Sequence, residues 1–213
     1  MYMFSVLDLY SIGVGPSSSH TVGPMLATQR FAKALVQHDV IDEVDRVRVT
    51  LYGSLALTGL GHGTDRASVA GLEGNDPQTV DTDYLADVHR ICDERGTIRL
   101  AGVKTITFDY NHDMVIDVWH RLAPHPNGMR CEAFDAQGRP VYEQVWYSVG
   151  GGFIEPGLVT DPVVSMHDRS VEAQEDTPRV AAGEPDPTMQ TDGWPFPCTT
   201  AKQLLGTCAE RGM

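Results

Sequence analysis

Apolar and polar positions recur along this chain with two different periods, and the switches between them predict most of its elements. Ala27, Phe31, Ala34 and Leu35 fall at helical spacing, which predicts a helix over residues 22 to about 38. Pro24 suits its first turn, where the missing N–H has no intrahelical partner, and Ser19 or Thr21 is the expected N-cap. Residues 45–52 alternate strictly and read as a half-buried strand that Gly53 ends. Helical stretches over 54–71 are broken at Gly61-His62-Gly63. A clearer helix covers 81–94, with Tyr84, Leu85, Val88 and Ile91 on one face and Gly96 as its stop. Segments 104–110 and 114–119 flank Asn111-His112-Asp113 as a hairpin, and 130–134 with 141–147 form a second. This order predicts an α+β fold: a mixed sheet of about four strands with helices packed on one face.

Beyond Phe153 the pattern fades. Pro162, Pro178, Pro185, Pro187, Pro195 and Pro197 are spread among scattered acids with few large apolar residues, the composition of a linker. A short helical pattern resumes over 200–211. The expected division is a first domain over 1–155, an acidic Pro-rich linker over 156–197, and the start of a second domain over 198–213.

Composition narrows the function classes. An apolar content of 41% with 21% charged residues is that of a soluble globular protein. The net charge of −13, from 29 acids against 16 bases, repels phosphodiester backbones, so nucleic acid is not an expected partner. No apolar run is long enough for a membrane span, and the first residues lack the basic region of a secretory signal, so the expected setting is cytoplasmic, away from membranes. Cys92, Cys131, Cys198 and Cys208 form no CxxC pair, so no metal site is expected from this chain's cysteines.

Candidate chemistry lies in four short motifs. Gly13-Val14-Gly15-Pro16-Ser17-Ser18-Ser19-His20-Thr21 sets three hydroxyls and an imidazole ahead of the first helix, whose end offers unpaired N–H donors and partial positive charge. A helix end contributes about 0.3–1 kcal/mol and a charge-assisted hydrogen bond roughly 1.5–3 kcal/mol. Such a turn therefore suits a small carboxylate held at about millimolar strength. Gly53-Ser54 through Gly61-His62-Gly63-Thr64-Asp65 exposes an imidazole between two glycines, and its ordinary pKa of about 6.5 fits acid–base work. A merely solvated His62 is equally open from that motif alone. His125-Pro126-Asn127-Gly128-Met129 is a tight turn, and Gly150-Gly151-Gly152-Phe153 is either an exit from the sheet or a backbone nest for an anion.

Together, Gly13 to Met25, Gly53 to Asp65, His125 to Met129 and Gly150 to Phe153 resemble, in sequence and order, the N-terminal (beta) domain of the bacterial iron–sulfur L-serine dehydratases. The resemblance covers residues 3–154. It implies conversion of L-serine to pyruvate and ammonia by a [4Fe-4S] cluster that acts as Lewis acid on the serine hydroxyl. The cluster ligands belong to the family's alpha domain and lie outside this chain, so this segment is expected to carry no cluster and to be inactive alone. It further implies His62 in catalysis and Ser17, Ser18, Ser19, His20, Thr21 and Asn127 in substrate binding. The expected partners are L-serine, the alpha domain and a second copy in a homodimer. The beta domain is also similar in fold to a regulatory domain of some phosphoglycerate dehydrogenases, which leaves an allosteric amino-acid-binding module as the alternative.

Overall fold

A computed structural model of the chain describes residues 13–159 and 163–165. The first helix starts earlier than its apolar face requires. A π-helical turn, Ser18–Val22, runs directly into α1 (Gly23–Gln37). Ser17 caps the turn, its hydroxyl accepting from the His20 N–H at 3.2 Å. Ser19 and Thr21, the expected caps, therefore lie inside helical backbone, because the wide turn moves the orphan donors upstream.

Strand β1 (Arg46–Tyr52) follows, then the short helix α2 (Gly53–Thr58), a 3-10 turn (Leu60–His62) and α3 (Thr64–Leu72). Helix α4 (Thr82–Arg95) is bounded as its sequence predicts. Asp81 accepts from the Asp83 N–H at its start, and Gly96 takes the left-handed conformation (φ 62°) at its end. β2 (Thr97–Leu100), β3 (Lys104–Thr107), the single turn α5 (Tyr110–Asp113), β4 (Met114–Asp117), β5 (His120–Leu122), β6 (Gly128–Phe134), β7 (Pro140–Gly150), β8 (Phe153–Gly157) and β9 (Val163–Ser165) complete the described chain.

The fold is α+β around an open mixed sheet. Its order is β2-β3-β1-β6-β7-β8, with β4 also on β1, so it holds seven strands where about four were expected. The additional strands are short or interrupted: β2 begins one residue after the α4 stop, and β8 carries Pro156 and Gly157. The hairpin expected around Asn111-His112-Asp113 does not form. β3 and β4 both run parallel to β1, β3 beside Arg46 and β4 beside Val49–Tyr52, end to end along one edge. Asp109 accepts from the Asn111 N–H and starts a helical turn there instead of a reversal. Asp113, 1% exposed, holds this break by accepting from Arg46 Nε and from the Asp109 N–H. The second expected hairpin does form, as β6 and β7. The glycine triplet turns β7 into β8 with Gly150, Gly151 and Gly152 all at positive φ, which side chains other than glycine rarely adopt. β9, inside the segment expected to be linker, pairs with β5 in a separate two-stranded sheet.

On β6, buried Met129, Cys131 and Ala133 alternate with half-exposed Arg130, Glu132 and Phe134, so one side of the sheet faces the core. A single cluster joins them to Phe31 and Leu35 of α1, Leu55 of α2 and Val69 of α3. α1 and α3 pack closely and in the same sense. Thr64 meets His20, a Cβ on Gly71 would overlap Met25 and Thr28, and Gln29 donates to the Gly74 carbonyl. Both helices thus begin at the same end of the domain. Among the described residues no helix is long and apolar enough to cross a membrane.

Candidate active site

The parallel packing of α1 on α3 brings their leading loops together. The His20 and His62 rings lie 5.2 Å apart, centroid to centroid, tilted by 43°. Each loop is pinned to the other at its histidine. Thr21 donates its hydroxyl to the His62 carbonyl at 2.8 Å, and Thr64 donates to the His20 carbonyl.

The two rings differ in what remains free. His62 Nδ1 lies 2.9 Å from the Thr58 carbonyl. A carbonyl only accepts, so Nδ1 carries the proton and the lone pair of the neutral ring sits on Nε2. His62 also lines a cleft of about 240 Å³ with Gly15, Pro16, Thr21, Gly63 and Arg66 on one side and Thr82, Leu85 and Ala86 of α4 on the other. His20 is instead engaged at both nitrogens, Nδ1 with Ser19 Oγ at 2.9 Å and Nε2 with Ser54 Oγ at 3.1 Å. Burial pushes the His20 pKa below the ordinary histidine value, the charge of His62 pushes it the same way, and a hydrogen bond with Ser54 opposes both.

The other two motifs support this pair. The Pro126 carbonyl accepts from the Ser54 N–H at 2.8 Å. Gly53, at φ +55°, permits that approach, because a Cβ would stand 2.3 Å from the same oxygen. The Asn127 side-chain N–H donates to the Ser148 carbonyl at 3.0 Å, and the Ser148 hydroxyl donates to the Ser19 carbonyl at 2.7 Å. Asn127 thus reaches the serine turn through Ser148. Of the turn's own hydroxyls, Ser18 faces solvent, Ser17 caps, Ser19 holds His20, and Thr21 is turned inward to His62.

Sequence reasoning missed four residues here. Ser54 and Thr64 stand inside the Gly53-to-Asp65 motif, which was read for His62 alone. Ser148 precedes the glycine triplet by two positions. Arg66, four residues past His62, is the cation of the cleft, with Nη1 donating to the Ala86 carbonyl at 3.3 Å. Its i, i+4 spacing from His62 was the available signal.

Metal-ligand chemistry is poorly served by the described cysteines. Cys92 and Cys131 are buried on α4 and β6, and burial pushes both thiols up, Cys92 to about 11. Among the described residues no three His, Cys, Asp or Glu side chains gather to hold a metal ion, so Cys92 and Cys131 do not form a [4Fe-4S] site with their neighbours. Cys198 and Cys208 lie outside the described residues, as do the expected boundary at 197/198 and the short helical pattern after it.

The domain is α+β, with two helix-leading loops crossed at His20 and His62 and a cleft beside His62. The chain belongs to the serine dehydratase beta chain family, whose model matches residues 5–157. It is 50% identical over 162 residues to an L-serine dehydratase of Streptomyces coelicolor, covering 75% of this chain and 36% of that protein. It is 44% identical over 153 residues to L-serine dehydratase 1 of Escherichia coli, covering 71% and 33%. With an L-serine dehydratase of Haemophilus influenzae it shares 33% identity over 214 residues, covering 99% and 41%. The chain therefore spans about a third to two-fifths of the length of these curated relatives. Their names do not favour the regulatory-module alternative.

Proposed function

We propose that this chain is the proton-handling part of an L-serine dehydratase, which converts L-serine to pyruvate and ammonia. The observation that supports this most is His62 at the cleft, its tautomer fixed by Nδ1 on the Thr58 carbonyl, which leaves the Nε2 lone pair with no partner among the described residues. In this reading Nε2 takes the Cα proton of serine while the Cα–Cβ double bond forms and the β-hydroxyl leaves. The resulting aminoacrylate tautomerises to an imine, and water hydrolyses it to pyruvate and ammonia. The serine carboxylate lies toward the shared leading end of α1 and α3, where helix dipoles favour an anion. Ser17, Ser18, Ser19, His20 and Asn127 form the binding side, some of them through their neighbours, and Thr21 serves it only through the His62 carbonyl it holds.

Departure of the hydroxyl falls to groups outside this chain. We assign the [4Fe-4S] cluster and its ligands to the alpha domain, in keeping with the lack of any gathered metal-ligand set among the described residues. Free buried cysteines also suit a cytoplasmic setting. A homodimer and a role in serine breakdown feeding gluconeogenesis complete the reading. In the complete enzyme, His62→Ala is expected to lower kcat by ~10²–10⁴ with serine KM little changed. Near-normal kcat in that variant removes His62 as the base.

A further inference from the structure

The 3-10 turn that carries His62 is held by its own backbone, His62 N–H and Thr64 N–H both donating to the Gly59 carbonyl, but none of these bonds reaches the His62 carbonyl. Gly59, Gly61 and Gly63 surround it, Gly63 lies in the left-handed region, and a Cβ on Gly61 would touch nothing within 4 Å. Glycine backbone on both sides of the histidine leaves the outer face of that turn free to shift unless a contact from another loop holds it. A displacement of about 1 Å at a reacting group lowers rate by up to ~10²-fold. Something must therefore hold the peptide of His62 itself.

We propose that Thr21 and Thr64 form a crossed clasp that holds the two imidazoles in register, and that both are positioning residues for proton transfer at His62. This rests on the reading of His62 as the base. Thr21, from the serine turn, bonds the carbonyl of His62; Thr64, which directly follows the His62 loop, bonds the carbonyl of His20. Each loop thus clamps the other at its histidine, across 41 and 44 residues of chain.

Burial decides between this role and direct contact with substrate. Thr21 is 1% exposed and Thr64 0%, and each hydroxyl proton points at a backbone carbonyl. Neither has a proton to offer a ligand, so each acts through the histidine it holds. His62 Nδ1 on the Thr58 carbonyl stops the ring from turning, while Thr21 stops the peptide beneath it from drifting. The Thr64 bond works from the other loop, fixing the His20 peptide whose ring is tied to Ser19 and Ser54. Removing either bond releases the same relative motion, so the two act as one device.

The test uses the complete dehydratase with Thr21→Val and Thr64→Val, which keep shape and remove the hydroxyl, beside Thr21→Ser and Thr64→Ser, which keep it. Each valine variant is expected to lose ~10-fold in kcat with serine KM within about twofold, and each serine variant to restore most of that loss. The double valine variant is expected to lose hardly more than the worse single one, the non-additivity of a shared device. If Thr64→Val does not fold, Thr21→Val and its serine counterpart decide alone. Unchanged kcat in the valine variants overturns the clasp while the His62 reading stands. Equal losses in valine and serine variants, or losses that multiply in the double variant, overturn it too by reducing the threonines to packing. Full activity in His62→Ala alongside is a separate outcome that removes the reading beneath the clasp.

Discussion

Two cavities flank the start of α3, and they treat their polar groups in opposite ways. On one side, Thr64, Thr21, Ser19, Ser54 and His20 are all hydrogen-bonded, and His62 lines the cleft. On the other, a cavity of about 480 Å³ is lined by Asp65, Tyr110 and His89 beside the apolar Leu60, Met114 and Ile116. There Asp65, 9% exposed, accepts from the Tyr110 hydroxyl at 2.7 Å through Oδ2, while Oδ1 is shut from solvent with no partner among the described residues. Burial of the Tyr110 phenol pushes its pKa up, and the charge of Asp65 adds to the rise, so the phenol stays a donor. One residue step along a helix thus separates a network with one reactive opening from a carboxylate sealed inside. A buried carboxyl group with one partner marks a demand on stability, and the imidazole beside the cleft carries the proposed chemistry.

This contrast breaks if the variants on the two sides behave alike. The largest effect belongs to His62→Ala, ~10²–10⁴ in kcat with the thermal midpoint close to wild type. Tyr110→Phe is expected to do the reverse. It leaves both Asp65 oxygens unpartnered and lowers stability by about 1–3 kcal/mol in denaturant unfolding, with kcat retained at temperatures where the protein is folded. A large kcat loss in Tyr110→Phe would merge the two sides into one site.

A smaller effect sharpens the histidine side. His20 titrates below its unfolded value of 6.5, so in that window the unfolded chain binds more protons than the folded one. Its contribution is therefore complete above pH 6.5 and declines as pH falls through 6.5 toward the folded pKa. His20→Gln is expected to flatten this part of a stability-versus-pH curve; an unaltered slope would show that His20 binds protons alike in the folded and unfolded chain. The smallest expected signal is none: the purified 213-residue chain carries no iron–sulfur absorbance, and stoichiometric iron in it would overturn the placing of the cluster outside.

Much of this was legible in the sequence where a local rule governs. The Asp81 cap and Gly96 stop bound α4 because both act within one turn of the helix. The β6–β7 hairpin was legible from alternation on both sides of Asp135–Gly138. The 104–119 segment was not, because the same Asn-His-Asp triplet serves a reversal or a helical turn, and the choice rests on Arg46, 67 residues from Asp113. His62 stood out by its flanking glycines. Ser54 and Ser148 did not, since their roles depend on which carbonyl or ring lies opposite, and spacing along the chain carries no trace of that.

The matched direction of α1 and α3 also bears on how the site comes into being. Between His20 and Thr64 the chain must travel out along one helix, cross under it as β1, and re-enter beside its own beginning. Neither loop excised as a peptide can reproduce the paired rings, and a folding intermediate with α3 undocked is chemically blank. Proximity of the two imidazoles is therefore a faithful reporter of the finished topology, readable by any probe of histidine environment before turnover is measured.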